Sequence, residues 1–160
     1  MNTFYNVIDS PIGKLTTFVN GDGSVVSVHF GEADPGGAQL SPDKTRVVDE
    51  QLRQYFNGER KDFELQLSPR GTDFQHQVWK LLEEIPFGET RSYGQLANQL
   101  GNQGASRAVG RANATNPIAI IVPCHRVIGT NGTLTGYAGG LSMKEKLLAF
   151  EQGRTGSLFD

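Results

Sequence analysis

The chain has 160 residues, 37% hydrophobic and 20% charged, with 20 glycines and a single cysteine. One cysteine excludes an intramolecular disulfide framework and any zinc site that needs two or more thiolates. A net charge of −2 argues against a generally basic nucleic-acid coat, no apolar run approaches the roughly 20 residues of a membrane span, and the opening MNTFYNVIDSPIGKL lacks the basic-then-apolar order of a signal peptide.

In chain order, Phe4–Ile8, Leu15–Asn20 and Ser24–Phe30 are rich in β-branched and aromatic residues. Pro11-Ile12-Gly13 and Asn20-Gly21-Asp22-Gly23 punctuate them, which predicts strands joined by hairpins. Gly31 to Ser41 reads as a loop, and Ser41-Pro42 as the start of a helix. Val48, Leu52, Tyr55 and Phe56 keep helical spacing until Gly58, and Phe63–Leu67 has the composition of one more strand. A boundary is expected at Ser68-Pro69, giving a small N-terminal α/β domain over residues 1–68 and a mostly helical domain over 69–160. The fold class expected is α+β.

Past the boundary, Thr72 with Gln75 forms a capping box ahead of Phe74, Val78, Leu81 and Ile85, and Pro86 ends that helix. Ser92 with Gln95 repeats the box for a helix carrying Leu96, Ala97 and Leu100, terminated at Gly101. Ala105, Ala108, Val109 and Ala112 mark a third helix that stops before Asn116-Pro117. Ser142 with Glu145 opens a last helix, closed by Gly153. A short turn between the second and third of these helices fits a winged-helix-like helix-turn-helix, and spacing alone fits an ordinary bundle equally well.

The charges are not evenly spread. Residues 1–68 hold 6 basic and 10 acidic side chains, and residues 69–160 hold 9 and 7. No carboxylate side chain lies between Glu89 and Glu145, a stretch that contains Arg91, Arg107, Arg111, Arg126, Lys144 and the one cysteine. This acid-free stretch reads as a surface for a polyanion.

Ile118 to Val122 is an apolar run, a buried strand candidate, that delivers the chain to Pro123-Cys124-His125-Arg126-Val127. A lone cysteine is commonly an inert core residue. Here His and Arg follow it directly, and both favour the thiolate that a nucleophile requires. Adjacent side chains on an extended segment point to opposite faces. For His125 to serve Cys124, a turn must begin at Cys124 or a water must relay the proton. A carboxylate orienting the imidazole would complete the arrangement, and Glu145 and Glu151 are the nearest acids downstream. His29, His76 and His125 lack metal-ligand spacing, so no metal and no cofactor is expected.

PCHRVIG, preceded by Asn116-Pro117 and followed by Gly136-Tyr137-Ala138-Gly139-Gly140-Leu141, resembles the signature of the O6-alkylguanine-DNA alkyltransferases. The resemblance extends through FGETRSYGQLA (Phe87 to Ala97), SRAVGRAN (Ser106 to Asn113) and KEKLLAFE (Lys144 to Glu151), covering roughly residues 72 to 152. It implies a single-turnover transferase of DNA repair in which Cys124 takes the alkyl group from guanine O6 as a thioether. His125 would act as base through a water with Glu151 orienting it, and Asn116 would hold the turn. Tyr93 would rotate the phosphate of a flipped nucleotide and help protonate the departing base. Arg107 would enter the base stack, with Ala105, Ser106, Arg111 and Arg126 also on the DNA side. Val127, Tyr137, Ala138 and Gly139 would line the base pocket.

The implied partner is double-stranded DNA carrying O6-alkylguanine, held mainly through its minor groove. O4-alkylthymine is a further candidate substrate. A cytoplasmic monomer that binds no membrane, with cooperative DNA binding left open, completes the expectation. Ala138 stands where some members carry Ser, and Ala114-Thr115 stands where a basic or glycine residue is often found. Two other classes remain open: a lesion-binding protein of the same fold without transfer activity, and a thiol-sensing helix-turn-helix regulator.

Overall fold

The computed structural model describes residues 2–129 and 140–153. The fold is α+β and divides into two compact units. The first holds the chain up to Arg70 together with Pro117–Ala119; the second holds Gly71–Asn116 and the chain from Ile120 onward. The expected boundary thus moves two residues, and Pro117–Ala119 leaves the second domain for the first. The reason is backbone pairing: Val28 donates its N–H to the Pro117 carbonyl (2.9 Å), and Ala119 donates to the Val28 carbonyl (3.3 Å).

In the first unit β1 (Thr3–Ser10), β2 (Gly13–Asn20), β3 (Val25–Phe30) and β4 (Gln39–Leu40) form one sheet in the order β3-β2-β1-β4. Central β2 buries five consecutive residues, Leu15 to Val19, because both of its faces are covered. On one face Thr17 donates to Asp49 of α1 (Arg46–Phe56), and Asn6 and Thr45 bond the same carboxylate. On the other, Phe18 stacks on Tyr5, while the Thr16 hydroxyl donates to the Gly31 carbonyl and accepts from the Ala33 N–H. Val48, Leu52, Tyr55 and Phe56 are buried at helical spacing on α1.

Three expectations for this unit change. The helix starts at Arg46 behind Thr45, since the Ser41 carbonyl and hydroxyl are taken up by a turn that receives the Lys44 N–H. The Gly31–Ser41 loop contains β4, which pairs parallel to β1. Phe63–Leu67 forms no strand beyond one bridge, Val25 to Leu67.

In the second unit both capping boxes are present. Thr72 caps α2 (Asp73–Glu83) and Ser92 caps α3 (Tyr93–Gln99), each with its reciprocal Gln. A 3-10 turn (Gln103–Ala105) leads into α4 (Ser106–Ala114), so α3 and α4 are the two helices of a helix-turn-helix. α4 is slim where its neighbours approach: Gly110 faces the Tyr93 ring, and the Ala112 carbonyl accepts from buried Trp79 of α2 at 2.8 Å. The last helix, α5 (Leu141–Gln152), enters through Gly140 at φ 92° with no side-chain cap, so the expected Ser142 cap does not form. Ser142 lies inside the first turn instead.

The run Ile118 to Val122 is buried throughout but is not a strand. One bridge, Val28 to Ile118, is followed by turns, and Ile120 takes φ 73°. A β-branched residue there is strained and ends extended pairing at once.

Candidate active site

Backbone geometry presents the cysteine. Asn116 spans the turn by donating its side-chain N–H to the Val122 carbonyl at 2.8 Å. Pro123, at φ −82° and ψ 65°, is the centre of an inverse γ-turn in which the Cys124 N–H returns to the Val122 carbonyl at 2.8 Å. A 3-10 turn then runs over Cys124–Arg126. The Cys124 carbonyl accepts from the Val127 N–H and from the Asn113 side chain at 3.3 Å. A turn therefore begins at Cys124, the condition under which His125 and Cys124 can serve one site. Cys124 forms no disulfide and is buried, with 4% of the residue exposed.

His125 is completely buried, with Nε2 2.7 Å from Glu151 Oε2. Glu151, not Glu145, is the partner; Glu145 is exposed on the outer face of α5. Arg126 grips the same carboxylate with two prongs, Nε on Oε1 at 2.8 Å and Nη2 on Oε2 at 2.9 Å, and its Nη1 donates to the Ile85 carbonyl at 2.6 Å. The Gly88 N–H also donates to Glu151, at 3.2 Å. Burial alone would raise the Glu151 carboxyl, but His125 and Arg126 outweigh it and hold it below the usual carboxylate range. Burial pushes His125 down despite the pull of Glu151, with the cations Arg126 and Lys144 pushing the same way. An ionised Glu151 requires a proton on Nε2, and a neutral imidazole then carries its lone pair on Nδ1. Among the described residues, Nδ1 has no hydrogen-bond partner. It is the nitrogen chemically able to take a proton.

Arg126 was expected on the DNA side. It is buried, and its guanidinium bonds the Glu151 carboxylate and the Ile85 carbonyl. Of the other acid-free bases, Lys144 is completely buried and Arg91 lies 3.2 Å from Glu89. Arg107 and Arg111 are exposed, one turn apart on α4, opposite the buried Val109, Ala112 and Asn113. Ala105 and Ser106 are half-buried at the α4 start.

Tyr93 opens α3, directly after β5 (Arg91–Ser92). β5 pairs parallel with β6 (Val127–Ile128), matching Arg91 with Val127 and Ser92 with Ile128. That pairing ties Tyr93 to the strand leaving the cysteine turn. Tyr137, Ala138 and Gly139 lie outside the described residues.

Sequence reasoning missed Asn113 and Lys144. The signal for Lys144 was present: Lys144, Leu147, Leu148 and Glu151 fall at i, i+3, i+4 and i+7, so charged residues occupy both ends of the buried stripe of α5. A concavity of about 510 Å³ in the first unit, lined by Ile8, Pro11, Leu52 and Phe56 among others, contains neither cysteine nor histidine.

A buried cysteine, a buried imidazole bonded to a carboxylate and a helix-turn-helix stand together in the second unit. Residues 73–153 match the DNA binding domain of 6-O-methylguanine DNA methyltransferase, and residues 3–69 match the ribonuclease-like domain of the same proteins. The chain belongs to this family of DNA-repair methyltransferases. It is 53% identical over 156 residues to the methylated-DNA--protein-cysteine methyltransferase of Mycobacterium tuberculosis (94% of this chain, 93% of the relative). It is 49% identical over 152 residues to that of Methanosarcina acetivorans (92% and 97%). A crystal structure of Mycobacterium tuberculosis OGT in complex with DNA superposes with a TM-score of 0.90 at 48% identity, covering 98% of this chain and 99% of that one.

Proposed function

We propose that this chain repairs O6-alkylguanine in double-stranded DNA by moving the alkyl group irreversibly onto Cys124, once per molecule. The observation that carries the reading is the buried pair of His125 and Glu151, 2.7 Å apart, next to the one cysteine and with Nδ1 left as a base. The family and the methyltransferase names of relatives about half identical to this chain support it.

In the step itself the thiol proton passes through a water to His125 Nδ1. The sulfur attacks the alkyl carbon, and the S–C bond forms as the C–O6 bond breaks. The electron pair stays on guanine, which takes a proton from the Tyr93 hydroxyl and remains in the strand as the unmodified base; Tyr93 regains its proton from the imidazolium through solvent. A thioether is a poor leaving group, so no turnover follows. O4-alkylthymine presents the same kind of carbon and is a second substrate of the same chemistry.

A base inside a duplex is out of reach of a cysteine that is 4% exposed, so the nucleotide must flip, at a cost of about a few kcal/mol. Arg107 fills the vacated stack, and Arg111 meets phosphate. The small side chains of Ala105, Ser106 and Ala108 let the backbone of α4 come close to a minor groove about 6 Å wide. Val127 main-chain groups, with Tyr137, Ala138 and Gly139, hold the base. The protein acts as a cytoplasmic monomer and needs no cofactor.

The test is stoichiometry. Reduced protein incubated with excess duplex containing O6-methylguanine should consume one lesion per molecule, and the peptide containing Cys124 should gain the mass of a methyl group. Unchanged peptide mass after prolonged incubation rules the reading out.

A further inference from the structure

Lys144 lies in the first turn of α5 with no exposed surface, among the largest fully buried side chains of the described residues. Lysine is seldom buried so completely, because the ammonium loses its water. The first turn of a helix is also the end where the backbone dipole is positive, an adverse place for a cation. The surroundings give the charge something to do. α5 packs against the Cys124–Arg126 turn, and Nζ lies 6.0 Å from the centroid of the Tyr93 ring, within cation–π range. Among the described residues, titratable groups that face it include Cys124 and His125 from the turn and Tyr93 from α3. Burial outweighs the upward pull of the charge on the Cys124 sulfur and brings the ammonium down to about 8.

We propose that Lys144 is a positioning residue of the active site, a buried ammonium that α5 holds against the cysteine turn and over the Tyr93 ring to stabilise negative charge on the Cys124 sulfur. The effect runs through two groups. At Cys124 the cation favours thiolate over thiol. At His125 the same charge disfavours imidazolium and so favours the neutral ring. Glu151 provides the opposite bias from the other end of the α5 stripe. The consequence for repair rests on the alkyl-transfer reading above; the coupling to the thiol does not.

The experiment titrates the thiolate ultraviolet absorbance of full-length protein without DNA, using Cys124→Ser protein as the blank. One cysteine makes the signal unambiguous. Lys144→Met should move the midpoint up by about one unit and slow single-turnover methyl transfer at neutral pH about tenfold, in proportion to the lost thiolate. Lys144→Arg keeps a cation and should hold the parent midpoint. Lys144→Met should also melt at or above the parent temperature, since it removes a buried charge; a merely structural lysine would give a lower melt and an unmoved thiol titration. An unmoved midpoint in Lys144→Met, or an equal rise in Lys144→Arg, overturns the proposal. If the midpoint moves but the parent transfers no methyl group, the coupling stands and the repair reading falls.

Discussion

Glu151 accepts hydrogen bonds from His125, twice from Arg126, and from the Gly88 N–H. Its stabilising effect has a defined pH window. The folded-state carboxyl sits below its unfolded value, so the contribution is complete above about pH 4.3 and is lost as pH falls from there through the folded value. His125 adds to the same slope: its folded value is also depressed, so its share is full above about pH 6.5 and is lost on acidification. Glu151→Gln leaves the buried Arg126 without its counter-charge, and we expect a loss of about 3–5 kcal/mol in urea unfolding at pH 7. The stability–pH curve of that variant should be flatter on the acid side. Methyl transfer by the surviving folded fraction should slow by about 10²-fold or more, because the imidazole loses its orienting group. A variant as stable as the parent at pH 7 would remove Glu151 from this role. Arg126 shows why part of the site was hidden in the sequence: beside a cysteine it looks like a thiolate or phosphate partner, yet its carboxylate lies 25 residues away and only the fold joins them.

At the scale of elements, α2 begins under a tight constraint. A methyl group at Gly71 would lie 2.5 Å from the Trp79 ring and 2.8 Å from Gln75 Oε1. Neither can yield, since the indole is anchored to the Ala112 carbonyl and Gln75 completes the capping box. Gly71→Ala should therefore cost about 1–3 kcal/mol by overpacking, measured as a lower midpoint in chemical denaturation. The capping boxes of α2 and α3 were legible because a box is local chemistry within four residues. Ile118 to Val122 was misread because an apolar run declares burial and says nothing of φ; only the left-handed Ile120 separates this turn from a strand. Ser41 and Ser142 misled in the same way, since a residue able to cap does so only if the chain enters there. The choice between Glu145 and Glu151 needed the face of α5, which the Leu147–Leu148 spacing carries once Glu151 is allowed to be buried.

For the whole molecule, a net charge of −2 does not preclude DNA binding, which depends on where cations are placed. The acid-free stretch is expected to face a polyanion, yet two of its bases, Arg126 and Lys144, are buried. Arg107 and Arg111 remain exposed on α4. Each of Arg107→Ala and Arg111→Ala should weaken duplex binding in fluorescence anisotropy. If the arginine replaced meets a phosphate, log K against log salt should become shallower by about 0.9. An unchanged slope in both variants would place the phosphate contacts elsewhere. The return of Pro117–Ala119 to the first unit matters for how the protein can be taken apart. The family matches divide the sequence at residues 69 and 73, as if two modules were laid end to end. Yet a fragment ending at Arg70 would lack the segment that pairs with Val28 of β3, baring N–H and C=O groups on an edge strand that invites self-association. Inheritance and assembly have drawn their borders in different places, and a gene cut along the first would not yield the parts defined by the second.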